Sequence, residues 1–431
     1  MTTVVGFAGM THLGLVSATA VASRGFKTIC FDPNVELVAN LTKGQLPVLE
    51  PDLDNLVAAN GPRQVFTSNI GDLGQCDVVY IAPDIPTDDQ GRSDTATIHR
   101  LIDAVTPVLG PQAVMVVLSQ VEPGFTRALK APEPARRYYQ VETLVFGRAV
   151  ERATEPERYI VGCADPSMPL NPHFHAVLAA FNCPILPMRY ESAELAKISI
   201  NFCLVSSISV ANTLAEVCEE IGADWSEIVP ALKLDRRIGQ YSYLAPGLGI
   251  AGGNLERDLA TVRRIGAARG TDTTVVAAWK SNSLHRRDWA ARTIKRELLD
   301  TKPDATVAVW GLAYKENTHS VKNSPSLATI AQIPGARLRL HDPVVAASAA
   351  AHAKSEACAS ALEALSGADA LMILTPWPQY RSITPSDIAK AMKGKLVLDP
   401  YRVLDAKAAT DAGLDCRTLG RAGPPQETDR C

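Results

Sequence analysis

The sequence predicts an α/β protein in which two doubly wound sheets are joined by a long central helix. In both halves of the chain, short apolar runs alternate with helical segments, the pattern of parallel strands with crossover helices. Between the halves, residues 192–221 contain no glycine or proline, and about thirty such residues would form a helix of about 45 Å. A chain of 431 residues can also build two or three domains with separate cores.

Each predicted strand is one of these apolar runs. The runs of the N-terminal half are residues 3–8, 28–31, 78–82, 113–118, 159–161 and 184–188. Those of the C-terminal half are residues 305–310, 337–340, 370–374 and 395–398. We predict an N-terminal domain at 1–190, a central helical domain at 191–300, a second α/β domain at 301–420 and a flexible polar tail at 421–431.

Composition and charge exclude several classes of protein. Hydrophobic residues make up 46% and charged residues 21% of the chain, as in soluble globular proteins. The 43 Lys+Arg and 46 Asp+Glu residues give a net charge of -3 without a basic run, so we expect no nucleic acid partner. Nine cysteines occur singly, with no CxxC pair, which favours reduced thiols, a cytoplasmic location and no metal site. No uninterrupted apolar stretch reaches about 18 residues, so we expect no membrane span.

A glycine-rich turn follows the first strand and predicts a Rossmann-like dinucleotide site. The turn is Gly9-Met10-Thr11-His12-Leu13-Gly14, and it opens an apolar helix. Gly9 would allow the tight turn and Gly14 the close packing of helix and strand, while Asp32 is placed to accept hydrogen bonds from the adenosine ribose of NAD. Thr11 replaces the middle glycine, so its Cβ would meet the pyrophosphate and weaken binding. An ordinary strand-to-helix turn is the alternative.

A lysine lies inside the apolar part of the central helix. Lys197 and Asn201 are the only strongly polar side chains between positions 195 and 211, one turn apart on one face. A lysine there is unfavourable unless it is paired or its pKa falls, which makes it a candidate for acid–base work on a substrate hydroxyl. Asn201 could position the same oxygen. The alternative is a lysine that extends along apolar surface to solvent at a domain boundary.

A second glycine-rich segment gives the most specific pattern in the chain. Arg237-Ile238-Gly239 precedes the run Pro246-Gly247-Leu248-Gly249-Ile250-Ala251-Gly252-Gly253-Asn254-Leu255-Glu256-Arg257-Asp258. Here the chain resembles the UDP-glucose and GDP-mannose dehydrogenase family, whose members carry R-I-G followed by P-G-x-G-[FY]-G-G-S-C-F-P-K-D. Aligning the final aspartate places Asn254 on the catalytic cysteine and Arg257 on the lysine. Further segments follow in the family's order: Glu50-Pro51, Pro123-Gly124, 142–147 before Pro156-Glu157-Arg158, Gly311-Leu312-Ala313-Tyr314-Lys315, Ser324-Pro325-Ser326 and Asp342-Pro343.

The resemblance implies roles for particular residues. Lys197, Asn201 and Asp258 match residues that handle the sugar hydroxyl and an ordered water during hydride transfer to NAD. The whole implied catalytic set is Lys197, Asn201, Asp258, Asn254 and Glu142. The implied cofactor-binding set is Gly9, Thr11, His12, Leu13, Gly14, Asp32 and Lys315, and the implied substrate-binding set is Arg237, Gly249, Gly252, Gly253, Arg257 and Lys322.

Three departures from the family pattern fall on one step of its chemistry. Family members oxidise an aldehyde to an acid through a cysteine thiohemiacetal, with a glutamate and a threonine assisting. Those positions are Asn254, Phe146 and Gln120 in this chain. An amide cannot form the covalent adduct, and loss of a nucleophile typically costs about a millionfold in rate. No other cysteine stands in a matching motif, and Cys203 is expected to pack in the core.

The resemblance leaves three functions open. We favour an NAD-dependent dehydrogenase that oxidises a nucleotide sugar by two electrons to an aldehyde or ketone. The second hypothesis is a catalytically silent paralogue that binds a nucleotide sugar. The third is oxidation by four electrons to a uronic acid by another route. Survival of Lys197, Asn201 and Asp258 argues for the first.

The resemblance also implies an assembly and a division of labour. The N-terminal domain would bind NAD, the central domain would pair two chains in a homodimer along the long helix, and the C-terminal domain would bind the nucleotide sugar. In that last domain Lys322 replaces an arginine, and His319 and Ser320 replace two acids. Because of these changes, the sequence does not indicate which nucleotide sugar binds. A solvated loop is the alternative for Lys322 and His319.

Overall fold

The computed structural model describes residues 3–88 and 91–423. The chain divides into two compact units, Met1–Ile200 and Asn201–Cys431. Each unit contains its own sheet, which confirms the predicted α/β class with two sheets. Residues 424–431, which hold most of the predicted flexible tail, lie outside the described residues. The domain boundaries at 190, 300 and 420 stay predictions.

The first unit contains an eight-stranded sheet. Its strands are β1 (Val4–Ala8), β2 (Lys27–Phe31), β3 (Gln64–Thr67), β4 (Val78–Ile81), β5 (Val114–Val117), β6 (Arg137–Gln140), β7 (Tyr159–Cys163) and β8 (Ile185–Arg189). Its helices are α1 (His12–Ser23), α2 (Val35–Thr42), α3 (Leu53–Asn60), α4 (Ala96–Val105), α5 (Phe125–Ala128), α6 (Ala149–Thr154) and α7 (Pro172–Ala179). Short 3-10 turns occur at Ile70–Gln75, Thr106–Val108 and Pro134–Arg136.

The strand order of this sheet is β3-β2-β1-β4-β5-β6-β7-β8. The six apolar runs of the N-terminal half are confirmed as strands, and β3 and β6 are additional. Neighbouring strands are parallel except β6 and β7, which are antiparallel. The predicted parallel arrangement therefore has one exception, the pair β6 and β7, because an apolar run predicts a strand without fixing its direction.

Alternate residues of the central strands contribute to two different cores. Val78 and Tyr80 of β4 belong to one core, and Val79 and Ile81 belong to the other. This period of two follows from the pleat of a strand. Strand β1 lies between β2 and β4, so the strand order reverses beside it. The loop after β1 thus lies at a topological switch point, the usual ligand position in such sheets.

The second unit contains a six-stranded sheet of order β11-β10-β9-β12-β13-β14, parallel throughout. After the helix α8 (Tyr190–Ile221), its helices are α9 (Trp225–Leu234), α10 (Asn254–Arg269), α11 (Thr274–Arg287), α12 (Trp289–Ile294), α13 (Pro325–Ala331), α14 (Ala361–Leu365), α15 (Pro385–Ala391) and α16 (Ala406–Asp411). Its strands are β9 (Thr306–Trp310), β10 (Arg337–His341), β11 (Ser355–Ala357), β12 (Ala370–Ile373), β13 (Leu396–Leu398) and β14 (Asp415–Arg417). The four predicted runs are confirmed, and the edge strands β11 and β14 are additional.

Helix α8 begins at Tyr190 and ends at Ile221, which confirms the predicted long helix. Apolar side chains spaced three, four or six residues apart on it are exposed. Their exposed fractions are 36% at Leu204, 48% at Val210, 43% at Leu214, 45% at Val217 and 71% at Ile221. Cys203 is exposed as well. The expectation that this cysteine packs in the core is therefore wrong, because this side of the helix is uncovered within one chain.

Length and hydropathy distinguish α8 from the other helices of residues 3–88 and 91–423. It is the one described helix that is long and apolar enough to cross a membrane, and a third of its most apolar segment is buried. A core helix of a soluble protein has the same properties. The absence of a membrane partner therefore stays a prediction.

Candidate active site and cofactor site

Two glycines shape the turn after β1. Gly9 has a φ of 98°, and a Cβ on it would lie 2.9 Å from the backbone nitrogen of Pro83. A Cβ on Gly14 would lie 1.8 Å from the carbonyl oxygen of Gly9. Leu13, beside it in the first turn of α1, is buried in the core. A side chain at Gly14 would push α1 away from the turn, and one at Gly9 would collide with the loop after β4.

Asp32 closes this turn from the end of β2. Its Oδ2 accepts a hydrogen bond from the N–H of Met10 at 2.8 Å, and its Oδ1 accepts one from the N–H of Asn34 at 2.9 Å. The residue is buried. Each carboxylate oxygen can accept more than one hydrogen bond, so Asp32 keeps capacity for hydroxyl groups beside the turn.

Thr11 occupies the middle position of the turn in ordinary backbone. Its φ is -77°, so the position does not need the conformational freedom of glycine. The Thr11 hydroxyl accepts a hydrogen bond from the N–H of Asp84 at 2.8 Å and lies 3.5 Å from the carbonyl oxygen of Ala82. Thr11 therefore ties the turn to the loop after β4. The Cβ of Thr11 is therefore expected to lower cofactor affinity only through its contact with a bound pyrophosphate.

A buried histidine and glutamate lie beside the same turn. His12 Nε2 and Glu50 Oε1 are 2.8 Å apart, with side-chain exposures of 8% and 0%. Glu50 also accepts hydrogen bonds from the N–H groups of Gly147 at 3.0 Å and Ala149 at 3.2 Å. The ring of Phe146 stacks on His12 with centroids 4.3 Å apart. One carboxylate therefore joins the turn to the loop between β6 and α6.

Lys197 is paired inside the apolar part of α8. Its Nζ lies 2.8 Å from Glu142 Oε1, and the two side chains are 11% and 14% exposed. Glu142 Oε2 accepts a hydrogen bond from the N–H of Leu144 at 2.9 Å. The pairing offsets the burial of both charges. It also places a hydrogen-bond donor and a base at one point of the first unit.

Asn201 lies one turn after Lys197 on α8 and belongs to the second unit. Its Nδ2 donates a hydrogen bond to Asp258 Oδ2. Arg257 Nε lies 3.2 Å from Asp258 Oδ1. All three side chains are buried. A carboxylate with amide and guanidinium donors is held firmly in one orientation.

The glycine-rich loop before α10 is held closely within the second unit. A Cβ on Gly249 would lie 2.3 Å from the carbonyl oxygen of Ser283. A Cβ on Gly252 would lie 3.2 Å from the ring of Tyr314, and the N–H of Gly252 donates to the carbonyl oxygen of Lys322 at 3.1 Å. Burial raises the pKa of Tyr314 to about 12, so this phenol keeps its proton at neutral pH and can donate a hydrogen bond.

The three departures from the family pattern occupy different environments. Asn254 is the first residue of α10 and is exposed. Phe146 is 43% exposed, with one face against His12. Gln120 follows β5 and is partly buried. None of the three places a thiol, carboxylate or alcohol at its position.

The remaining candidates lie in the second unit. The side chain of Lys322 comes within 3.7 Å of a Cβ built on Gly253, an ordinary contact. Lys315 Nζ lies 5.8 Å from the ring centroid of Tyr314, within cation–π range. The side chain of Arg237 is 89% exposed and pairs with Asp235. Within one chain the Arg237 side chain therefore points to solvent, and its contact with a substrate stays a prediction.

The sequence did not indicate two residues that lie near these sites. Glu50 was identified only as part of a segment, and Asn323 was not identified at all. Asn323 has a φ of 50° and donates its side-chain amide to the carbonyl oxygen of Gly252 at 2.8 Å and to the carboxylate of Glu256. The partners of Glu50 lie 38 and 97 residues away. An acid before a proline was the only local signal for Glu50.

The residues around the turn after β1 fit a dinucleotide. Helix α1 begins at His12, so its first backbone amides and its positive end face the turn, as anion binding requires. Gly9 and Gly14 leave no side chain between helix and strand, and the Asp32 carboxylate lies beside the turn. Within the described residues no group of three or more His, Cys, Asp or Glu side chains could hold a metal ion.

Comparison with known proteins gives an ordered match along the chain. The NAD binding domain of the UDP-glucose/GDP-mannose dehydrogenase family matches residues 3–173. The central domain of that family matches residues 191–283, and its UDP binding domain matches residues 308–406. The turn after β1 lies in the first match, and the glycine-rich loop before α10 lies in the second.

Similar proteins cover nearly the whole chain. The UDP-glucose 6-dehydrogenase of Pseudomonas aeruginosa is 26% identical over 437 residues, which are 96% of this chain and 96% of that protein. UDP-glucose 6-dehydrogenase TuaD of Bacillus subtilis is 27% identical over 430 residues, covering 96% of this chain and 92% of that protein. The structure of a UDP-glucose dehydrogenase from Pyrobaculum islandicum has a TM-score of 0.84 at 24% identity and covers 98% of each chain.

The fold and the cofactor turn agree with these matches. The structure of UDP-D-ManNAc dehydrogenase from Pyrococcus horikoshii adds a TM-score of 0.80 at 22% identity over 97% of this chain and 99% of that chain. The matched domains occur in one order and span both sheets. The chain therefore belongs to the UDP-glucose/GDP-mannose dehydrogenase family, as an NAD-dependent dehydrogenase that acts on CH–OH groups.

Proposed function

We propose that this dehydrogenase oxidises one hydroxyl of a nucleotide sugar by two electrons and releases an aldehyde or ketone. The observation that carries the proposal is the largely buried pair of Lys197 with Glu142, 2.8 Å apart. These groups can serve alcohol oxidation, whereas the position of the family's thiol holds Asn254. A nucleotide-sugar substrate is supported by the match to the family's UDP binding domain.

The first oxidation needs a partner for the substrate oxygen. Bound NAD+ supplies the hydride acceptor. The substrate oxygen gains negative charge as its proton leaves, and that charge becomes the carbonyl bond as hydride departs from the carbon; Lys197 would donate a hydrogen bond to the oxygen while it is charged. Lys197 would give one of its protons to Glu142, 2.8 Å away, and take up the hydroxyl proton in its place. Asn201, oriented by Asp258, would hold the oxygen in line. Alcohol and NAD+ thus give a carbonyl compound, NADH and one proton.

The second oxidation in the family uses a covalent adduct. An aldehyde yields another hydride once a nucleophile has added to its carbon, and the amide of Asn254 cannot add in this way. Hydrolysis of an acyl adduct then needs an acid–base group, and the ring of Phe146 offers none. The carbonyl product would therefore leave the enzyme after one hydride transfer.

A homodimer is the second part of the proposal. Four exposed apolar side chains of α8, Val210, Leu214, Val217 and Ile221, are spaced three or four residues apart and form one stripe along the helix. A contiguous apolar stripe on a soluble chain favours burial against a partner, and a second copy gives the simplest closed assembly. We expect two chains to pair along this stripe.

Reaction stoichiometry tests the proposed chemistry. Purified protein is incubated with NAD+ and a panel of UDP and GDP sugars, and NADH is counted against consumed substrate while mass spectrometry identifies the product. The expected result is one NADH per substrate with an aldehyde or ketone. Two NADH and a carboxylate would refute the proposal and favour four-electron oxidation. Measurable binding without NADH from any substrate would favour the silent paralogue.

A further inference from the structure

The buried Glu50 carboxylate holds two segments of the first unit that are far apart in the chain. One segment is the cofactor turn, represented by His12 at 2.8 Å. The other is the start of α6, represented by the N–H groups of Gly147 and Ala149. Glu50 itself lies between α2 and α3, with no exposed side-chain surface.

The chemistry of these contacts requires a carboxylate. Glu50 accepts at both oxygens, because Gly147 lies 3.0 Å from each of them and Ala149 lies 3.2 Å from Oε2. A glutamine of the same shape would turn an N–H donor toward one of these backbone donors. A buried donor without an acceptor is costly. The contacts of Glu50 thus depend on its charge and on its reach together.

The loop that Glu50 holds has a second fixed point. Glu142 lies at its beginning and pairs with Lys197 at 2.8 Å, while Gly147 lies at its end. Phe146, next to Gly147, adds a direct contact with the turn by stacking on His12 at 4.3 Å. Residues 142–147 are therefore anchored to the proposed catalytic lysine at one end and to the cofactor turn at the other.

We propose that Glu50 is a positioning residue that couples occupancy of the cofactor turn to the order of residues 141–149. A ligand that fixes His12 would also fix the carboxylate and, through it, the loop that carries the partner of Lys197. Coupling of this kind is reciprocal, so a disordered loop weakens the ligand. Phe146 supplies the second contact in the same link. The inference holds whether the enzyme transfers one hydride or two.

Hydrogen exchange and calorimetry on the full chain test this link. Glu50→Gln is compared with wild type and with Glu133→Gln, a surface glutamate 58% exposed beside Arg136 in the same unit. NAD+ affinity is measured by calorimetry, amide exchange of peptides covering 141–149 is measured with and without saturating NAD+, and UDP affinity reports the integrity of the second unit. A lost hydrogen bond to a charged group predicts a rise of about tenfold or more in the NAD+ dissociation constant.

The expected pattern has three parts. NAD+ slows exchange of 141–149 in wild type and in Glu133→Gln, the slowing disappears in Glu50→Gln, and UDP affinity is equal in all three proteins. Slowing that persists in Glu50→Gln, or that is absent from wild type, would overturn the coupling. Weak NAD+ binding together with weak UDP binding in Glu50→Gln would identify general misfolding, and the Phe146 variants would then decide.

Two variants of Phe146 form the second test. Phe146→Tyr keeps a ring against His12, whereas Phe146→Leu removes it. An aromatic pair of this kind predicts about a two- to tenfold weaker NAD+ affinity in Phe146→Leu and wild-type affinity in Phe146→Tyr. Protection of 141–149 by NAD+ should fall in the same order. Equal affinity and equal protection in the two variants would overturn the inference even if Glu50→Gln failed to fold.

Discussion

Breaking the pair of Lys197 with Glu142 should strongly slow hydride transfer and destabilise the first unit. At 2.8 Å, two unit charges attract by about 6 kcal/mol at an effective dielectric constant of about 20, and desolvation of both groups offsets much of that. Removing one partner of a buried pair costs about 3–5 kcal/mol. Since 11% and 14% of the side chains stay exposed, we expect about 3 kcal/mol for Lys197→Met and less for Glu142→Gln, which keeps one acceptor.

The assay can separate the two units because of where the tryptophans lie. All five are at positions 225–377, in the second unit, so far-ultraviolet circular dichroism follows both units while tryptophan emission follows the second alone. Lys197→Met should shift only the transition without a tryptophan signal. Its NADH production should fall by about a hundredfold or more, with NAD+ binding largely retained because Glu50 still holds the other end of the loop at Gly147.

A matched surface pair provides the control. Arg127 and Glu191 form an ion pair in the same unit, with side chains 48% and 40% exposed, so Glu191→Gln should cost at most about 1 kcal/mol. The double variant Lys197→Met/Glu142→Gln should lose less stability than the sum of the single variants. Strict additivity, a Lys197→Met cost no larger than that of Glu191→Gln, or undiminished NADH production would refute the assigned role of the pair.

Four further predictions follow from the structure. Asp32 should select NAD+ over NADP+ because its carboxylate repels a 2′-phosphate, and Thr11→Gly should tighten NAD+; titration showing equal or tighter NADP+ binding would contradict the first. Asn254→Cys should still release an aldehyde or ketone, because position 146 lacks the carboxylate that hydrolysis needs, and an acid found by mass spectrometry would count against this. Burial raises the pKa of Glu256 above its ordinary 4.5, so the folded protein binds that proton more tightly than the unfolded chain and loses stability as the pH rises. Glu256→Gln should therefore raise the melting temperature at neutral pH. The rise should vanish below about pH 4.5, where the carboxyl group is protonated in both states. Leu214→Asp should convert a dimer to monomers in sedimentation, and a wild type that sediments as a monomer would disprove pairing along α8.

The apolar runs located most strands because strands buried on both faces are apolar throughout. Strand β6 shows the limit of this rule. Its residues, Arg137–Gln140, are polar or aromatic, and all four are buried. The guanidinium of Arg137 donates to the carbonyl oxygens of Leu129 and Pro132. Partners outside the strand make this burial possible, and no pattern within the strand indicates them.

The candidate site divides in a similar way between local and distant information. Gly9, Gly14 and Asp32 belong to one short motif whose spacing carries its own physical reason. The partner of His12 lies 38 residues away, and the partner of Asn201 lies 57 residues away. The exposure of Cys203 depends on what covers α8, which helical periodicity within one chain does not indicate. The sequence thus indicated which residues could take part in the chemistry, but not which residues they contact.

The stack of Phe146 on His12 also bears on how this chain can evolve. Glutamate at position 146 would remove the ring that stacks on His12 and introduce a carboxylate one residue before Gly147, whose N–H donates to Glu50. A single mutation toward four-electron chemistry would thus weaken the turn before any new activity arose. Because of this epistasis, a compensating change at position 12 or 50 would have to come before the change at position 146.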